Sequence, residues 1–338
     1  MKLLNLFEGH DTVSIIGMEK NVGKTTVLNA ILEECRGRKQ VALTSIGRDG
    51  EDTDRVTYTH KPKIYVERGT ILATAKEALF GSDITREILE TTNITTPMGE
   101  VIIARALTDG YVDLAGPSIS TQISYVRKRM LEYGPELVVI DGALGRMGTF
   151  RGDSAVILST GASLAPGMGE VVGKTLHRID LLKLEKAPEK ILDLYRKNSS
   201  GERIVFIGET GGVKKVELES VLEADKLIVD ELEEGFDYIF IRGAVVPALI
   251  ERLIKNRHKF EKLNIVAEDG IKLFIDPALR RKANLCGIKF KVCQNINLVG
   301  LTCNPVSPFG YKFDSEEFHS RLKGAVDLPV IDVVGGRR

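Results

Sequence analysis

"SIIGMEKNVGKTT", residues 14–26, opens with an apolar run, turns at Gly17 and closes on Gly23, Lys24, Thr25 and Thr26. A loop that holds phosphate needs backbone N–H groups curled around the anion, a lysine for the outer oxygens, a hydroxyl for Mg²⁺ and a helix N-terminus behind them. The apolar run predicts a strand from Thr12 to Ile16 and the residues after Gly23 predict a helix starting at Lys24 or Thr25, so Gly23, Lys24 and Thr25 stand where that chemistry wants them. The usual spacing GxxxxGK[ST] is missed, because Met18 occupies the place of the first glycine. The loop is one residue longer, G-x5-GKT, with Lys20, Asn21 and Val22 inside it. A glycine turn that merely joins a strand to a helix is the competing reading.

The same spacing recurs in "GMGEVVGKT", residues 167–175. There the preceding strand is expected to end near Leu158 or Ser159, and Val171, Val172, Leu176 and Ile179 recur at helical intervals. Lys174 is therefore expected inside a helix whose amides are already bonded, and the match reads as chance.

A nucleotide site also needs a carboxylate near Mg²⁺ on a neighbouring strand, because ligands of open parallel sheets collect at the carboxyl ends. "ELVVIDGALGRMG", residues 136–148, supplies Asp141 after the apolar run Leu137 to Ile140, either as a metal ligand or as a strand cap. In "LTSIGRDGED", residues 43–52, Arg48 is a candidate for phosphate oxygens, against a solvated turn. "DGYVDLAGPSIS", residues 109–120, places Ser118 at a helix start that is either a substrate-anion site or a capped end. The five histidines show no metal spacing, and no Ser/His/Asp set is readable.

The whole chain sets the bounds. Its 338 residues, 43% hydrophobic, allow about two domains, and 47 basic against 47 acidic residues leave no net field for nucleic acid or an anionic membrane. No stretch approaches the ~18 apolar residues of a spanning helix. "MKLLNLFEGHDTV" has no cleavage site of a secretion signal, and the four cysteines make no CxxC pair; they read as buried small side chains in a reducing cytoplasm.

Apolar runs alternate with helical periodicity, as in stacked βα units around a parallel sheet. Strands are expected at Thr12–Ile16, Gln40–Thr44, Val112–Leu114, Leu137–Ile140 and Ala155–Leu158, and later in "RIVFIGE", "YIFIRGAV", "LNIVAED", "IKLFID", "KVCQNINLVGL" and "LPVIDVV". The charged stretch "LEKAPEKILDLYRKNSS", residues 184–200, marks a candidate boundary.

Gly17, Val22, Gly23, Lys24 and Thr25 resemble, in register, the loop of dethiobiotin synthetase and cobyric acid synthase, which belong to the SIMIBI class of P-loop NTPases. Asp141, Gly142, Ala143 and Gly145 match that family's Glu-Gly-Ala-Gly-Gly. The resemblance implies an α/β P-loop NTPase: a mostly parallel sheet with helices on both faces, plus a second α/β domain or insertion. It implies ATP and Mg²⁺ as cofactors, with Gly17, Lys20, Asn21, Val22, Gly23, Lys24, Thr25 and Thr26 around the nucleotide and Thr25, Asp49 and Asp141 at the metal. Lys24, Asp49 and Asp141 would then be catalytic, and Arg48 and Ser118 would face a substrate. Lys20 lies one residue too close to Lys24 for the second lysine of the Min/Par branch. By the same likeness Asn304, ending the strand in "LVGLTCNPVSP", reads adenine. If so, the nucleotide domain is residues 1–185 completed by 290–338, around an insertion of 186–289. The family's Lys-Pro is missing from the loop of Arg48, so dethiobiotin synthesis itself is not expected, and the lack of an Asn-Lys-x-Asp motif favours ATP over GTP.

"SIIGMEKNVGKTTVLN", "ALTSIGRDGED", "KPKIYVERGTILATA" and "DGYVDLAGPS" also resemble, more loosely, the ATPase subunit of the reactivating factor for lysine 5,6-aminomutase. That implies a cytoplasmic ATPase, monomer or homodimer, which works with a MutS-like companion to exchange the cofactor of a cobalamin-dependent aminomutase. An ATP-dependent ligase or small-molecule kinase and a nucleotide sensor are the alternatives.

Overall fold

β1 (Thr12–Gly17) is buried at every residue, as an apolar run covered on both faces must be. The computed structural model describes residues 2–47, 63–143, 154–216 and 224–333. Within them the chain forms two units, one of Met1–Leu176 with Asn297–Arg338 and one of His177–Ile296.

In the first unit β1 joins β2 (Val41–Ser45), β4 (Ile71–Ala75), β5 (Arg86–Thr96), β6 (Gly99–Ala106), β8 (Leu137–Ala143), β9 (Ala155–Gly161), β15 (Asn297–Asn304) and β16 (Val330–Asp332). Among the described residues these form a nine-stranded sheet in the order β16-β15-β9-β1-β8-β2-β4-β6-β5. Pairing is parallel from β16 to β4, and the hairpin β5–β6 adds an antiparallel edge. β3 (Ile64–Val66) and β7 (Gly110–Val112) pair separately. The unit's helices are α1 (Lys24–Cys35), α2 (Lys76–Phe80), α3 (Ser120–Glu132) and α9 (Ser315–Ala325), with the first part of α4 (Met168–Leu182).

Side-chain parity assigns the faces. Val13 and Ile15 of β1, Leu43 of β2 and Leu137 and Val139 of β8 share one core with Val27, Leu28 and Ile31 of α1. α3 touches β4 and β8 but sends none of its buried Ile123, Val126 and Met130 into that core, so it covers the opposite face. By the same alternation Gly17, Ser45 and Asp141 lie on the face of α1.

The second unit has its own sheet, β11 (Val213–Val216), β10 (Ile204–Ile207), β12 (Tyr238–Ile241), β13 (Leu263–Ala267) and β14 (Ile288–Val292), in that order. Its helices are α5 (Glu189–Asn198), α6 (Ala224–Asp230), α7 (Pro247–Lys255) and α8 (Pro277–Leu285). α7 buries Leu249, Ile250, Leu253 and Ile254, which leaves its basic residues, Arg252 and Lys255, on the solvated side, while Arg257, His258 and Lys259 follow in a 3-10 turn. The division falls earlier than the charged stretch at 184–200, within α4, because Leu181 already belongs to this unit's core. It closes later than 290, because β14 pairs with β13 and only β15 returns to the first sheet.

Other expectations are corrected. "IKLFID" holds a 3-10 turn at Gly270–Lys272 rather than a strand, and "KVCQNINLVGL" splits into β14 and β15 in separate sheets. The expected strand at Val112–Leu114 begins earlier, as the short β7. All four cysteines are free, and burial pushes the Cys35 thiol up to about 11 and those of Cys293 and Cys303 up to about 12. Among the described residues no helix is long and apolar enough to cross a membrane.

Candidate functional site

The loop between β1 and α1 turns through two left-handed residues, Asn21 at φ 60° and Gly23 at φ 90°. Asparagine tolerates this region and glycine prefers it, so the sequence permits the curl that makes successive N–H groups converge. Gly23 stands just before α1, no side chain caps the helix start, and its first turn holds no acidic residue. The leading N–H groups of a helix have no partner within it, and here Val27 is the first to bond back, to the Gly23 carbonyl at 3.0 Å. The end of α1 that carries Lys24, Thr25 and Thr26 is thus suited to an anion.

Gly17 is set by close approach. A Cβ there would lie 2.6 Å from Lys24 Nζ, 2.7 Å from its Cδ and 2.8 Å from Val22 Cγ2. The missing side chain lets Lys24 fold back over the loop, where its ammonium donates to the Glu19 carbonyl at 3.0 Å. Burial lowers the Lys24 pKa; Asp141 opposes this and Lys20 adds to it.

β8 delivers Asp141 beside Ile15 of β1 and Ser45 of β2. The residue keeps some exposure, yet its Oδ1 is covered and has no hydrogen-bond partner among the described residues. Burial raises its pKa, while Lys24 and the Gly142 N–H pull the other way. A covered carboxylate oxygen without a donor is costly until a cation arrives. Together with Thr25, half-buried in the first turn of α1, it fits Mg²⁺, which takes few protein ligands and completes its shell with water and phosphate oxygens. Among the described residues no group of three His, Cys, Asp or Glu side chains gathers around a metal position.

Three contacts brace the loop from the ends of β9 and β15. Met18 N–H donates to the Ser159 carbonyl at 3.0 Å, Ser163 Oγ donates to the Lys20 carbonyl at 3.0 Å, and Asn304 Nδ2 donates to the Asn21 carbonyl at 2.9 Å. Asn304 Oδ1 accepts from Val306 N–H at 3.0 Å, so both ends of the amide assigned to adenine from the sequence are engaged in the protein. Ser163 escaped the sequence reading. Its signal was the polar run "STGAS" at the end of an apolar strand. Gly161 in that run allows a close approach, since a Cβ would stand 2.8 Å from the Asn304 carbonyl oxygen and 3.5 Å from Val22 Cα.

Ser118 is exposed, one residue after Pro117, whose carbonyl accepts from Gly47 N–H at 3.0 Å, while Ile46 N–H donates to the Asp141 carbonyl at 2.8 Å. It therefore sits one strand over from Asp141. The capped-end alternative is not realised, because the residue before α3 is Ile119 and no side chain caps it. Arg48, Asp49 and Gly145 lie outside the described residues.

The second GKT lies inside α4, where Lys174 pairs with Glu170 at 2.8 Å and the Thr175 hydroxyl donates to the Val171 carbonyl at 2.7 Å. A hollow of about 360 Å³ opens at the opposite end of the strands, lined by Arg36 to Val41 and Tyr65 to Thr70. It adjoins the amino ends of β2 and β4 and receives none of the residues above.

No protein-family model matches the chain, and no curated protein matches it.

Proposed function

We propose that the chain binds MgATP at the turn from β1 to α1 and hydrolyses it. The observation that carries this reading is Lys24, folded back across Gly17 on the face of the sheet where Asp141 keeps a covered oxygen without a hydrogen-bond partner among the described residues. In the bound state the ammonium exchanges the Glu19 carbonyl for β- and γ-phosphate oxygens, the first N–H groups of α1 face the phosphates, and the Thr25 hydroxyl and Asp141 hold the metal. Mg²⁺ supplies charge neutralisation at the transferred phosphoryl group. Asp49 and Arg48 are proposed beside it, as metal ligand and phosphate contact.

The use we assign to ATP is the reactivation of a cobalamin-dependent aminomutase together with a MutS-like companion, in the cytoplasm, with nucleotide biasing a two-state element rather than entering a product. The sequence resemblance supports it. A ligase or small-molecule kinase is the second reading, favoured by one feature: the uncapped start of α3 beside Ser118, where a substrate anion would meet free N–H groups.

Replacing Lys24 with alanine removes a charge-assisted contact, so Lys24→Ala is expected to weaken MgATP binding by about tenfold to a hundredfold, whereas Lys174→Ala leaves it intact. Titration calorimetry on both variants checks this, and unchanged affinity in Lys24→Ala removes the nucleotide reading. For the use of ATP, the chain is mixed with ATP, an inactivated aminomutase and the companion. Recovered mutase activity supports reactivation; hydrolysis stimulated by a small carboxylate or amine, without recovery, moves the assignment to the ligase class.

A further inference from the structure

We infer that Ser163 and Asn304 are positioning residues that aim the amides of the phosphate loop at a diphosphate. The inference rests on the nucleotide reading above and adds to it the residues that shape the site from outside.

The argument starts from the peptide group. It is planar and trans, so a carbonyl pulled to one side sends the N–H of the same group to the other. Ser163 Oγ holds the Lys20 carbonyl and Asn304 Nδ2 holds the Asn21 carbonyl, each from a strand end outside the loop. The N–H groups of Asn21 and Val22 are thereby turned inward, and the left-handed Asn21 between the two peptides brings them onto one centre. Ser163 is buried and Asn304 half-buried. Ser163 is 8% exposed and occupies a 3-10 turn at Ala162–Leu164, and Tyr311 OH holds the Ala162 carbonyl of the same turn at 2.7 Å. Asn304 is oriented by the bond from Val306 N–H. Neither side chain touches the nucleotide in this account. Both act through the backbone, which grips α- and β-phosphates alike in ADP and ATP and is blind to the base.

The two side chains lie far from the loop in sequence and carry no phosphate chemistry of their own. Their variants therefore have a signature distinct from loss of a ligand group. In the full chain, Ser163→Ala and Asn304→Ala are expected to weaken MgADP and MgATP by the same factor, about tenfold each, the effect of one hydrogen bond on an anion-binding frame. The preference for ATP over GTP stays unchanged and KM rises more than kcat falls. Ser163→Thr keeps the hydroxyl and restores affinity. Asn304→Asp keeps an acceptor for Val306 N–H but sets a carboxylate oxygen against the Asn21 carbonyl, and is expected to lose at least as much as alanine. Binding is measured by calorimetry with MgADP, MgATP and MgGTP, and thermal melts establish that each variant is folded. Folded Ser163→Ala and Asn304→Ala chains with unmodified affinities, beside a Lys24→Ala chain that has lost it, overturn the inference and leave the nucleotide reading standing. A narrowed ATP-to-GTP preference in Asn304→Ala with MgADP binding intact also overturns it, and returns Asn304 to the base. An unmodified chain with no affinity for any of the three removes the nucleotide reading and the inference together.

Discussion

Two stretches of this chain spell the same pattern, Gly17 to Thr25 and Gly167 to Thr175, and the fold treats them as opposites. In the first, the last glycine is left-handed, the lysine crosses the space of the first glycine, and the hydroxyl of Thr25 follows at the mouth of a helix. In the second, a Cβ on Gly167 would meet Glu170 Cβ at an ordinary 3.8 Å and one on Gly173 nothing within 4 Å, Lys174 pairs with Glu170 one turn away, and Thr175 is bonded to Val171 and Thr160. The letters are shared. What differs is whether a strand end precedes them, because only there do a helix start and neighbouring strand ends converge on one point.

The sharpest break of the comparison is Asp141, since the carboxylate facing Lys174 is the exposed Glu170 of its own helix rather than a covered one on a neighbouring strand. Asp141→Asn is expected to depress Mg-dependent hydrolysis by on the order of a hundredfold, because an amide cannot neutralise the metal as a carboxylate does. The same change has a second, opposite effect. Burial raises the Asp141 pKa above the ordinary 3.8, so between that value and the folded one the native state holds the extra proton and stability falls as pH rises. Above the window the charged form is a net burden. Without Mg²⁺ at neutral pH, Asp141→Asn is therefore expected to melt higher than the unmodified chain, with the gap closing as the pH is lowered through the window. Equal melting temperatures across that range contradict the stated burial of the charge.

Gly17→Ala comes next. The atoms its Cβ would meet are the far end of Lys24 and a methyl of Val22, which give way more easily than backbone, so the substitution is expected to push the lysine off the loop. Affinity for MgATP should fall by about tenfold or more with a small change in melting temperature, whereas a matched change at Gly167, whose Cβ would meet only Glu170 Cβ at 3.8 Å, should do neither. An unaffected Gly17→Ala chain would mean that the lysine does not need this path.

The smallest effects concern backbone alone. Gly23→Ala forces a side chain into the left-handed region at φ 90°, a cost of about 1–2 kcal/mol. Gly173→Ala, exposed within α4 with open space for its Cβ, should stabilise by about 0.5–1 kcal/mol. Chemical denaturation of the pair reads both signs, and a stabilising Gly23→Ala would break the comparison at its root.

Much of the first unit was legible because its strands are buried on both faces. β1, β2, β8 and β9 stand out as short, mostly apolar runs, and α1 follows β1 after one loop. The hairpin β5–β6 was not read. β5 is Thr- and Glu-rich and mostly uncovered, so it lacks the apolar run, although Pro97 and the left-handed Gly99 mark its turn. "IKLFID" has a strand's composition, but Asp269 caps Ile271 N–H and Gly270 stands against the Leu181 carbonyl, which closes a 3-10 turn instead. Of the candidate site, Gly17, Lys24, Thr25 and Asp141 could be found from local pattern. The part played by Ser163 and Asn304 could not, since their bonds span 143 and 283 residues, and no local rule reaches so far.

That long span has a consequence for how the protein is made. β15 is the strand that covers β9 and ends in Asn304, and it is synthesised after the whole of the second unit. On the ribosome, the second unit has all of its strands in hand while the sheet around β1 still presents β9 as an open edge and the loop of Asn21 lacks one of its three outside braces. On the proposed reading, the capacity to grip a nucleotide is then acquired late in translation. A nascent chain halted before Asn297 is expected to show weaker nucleotide retention than the released protein, and equal retention would show that β15 is dispensable to the loop.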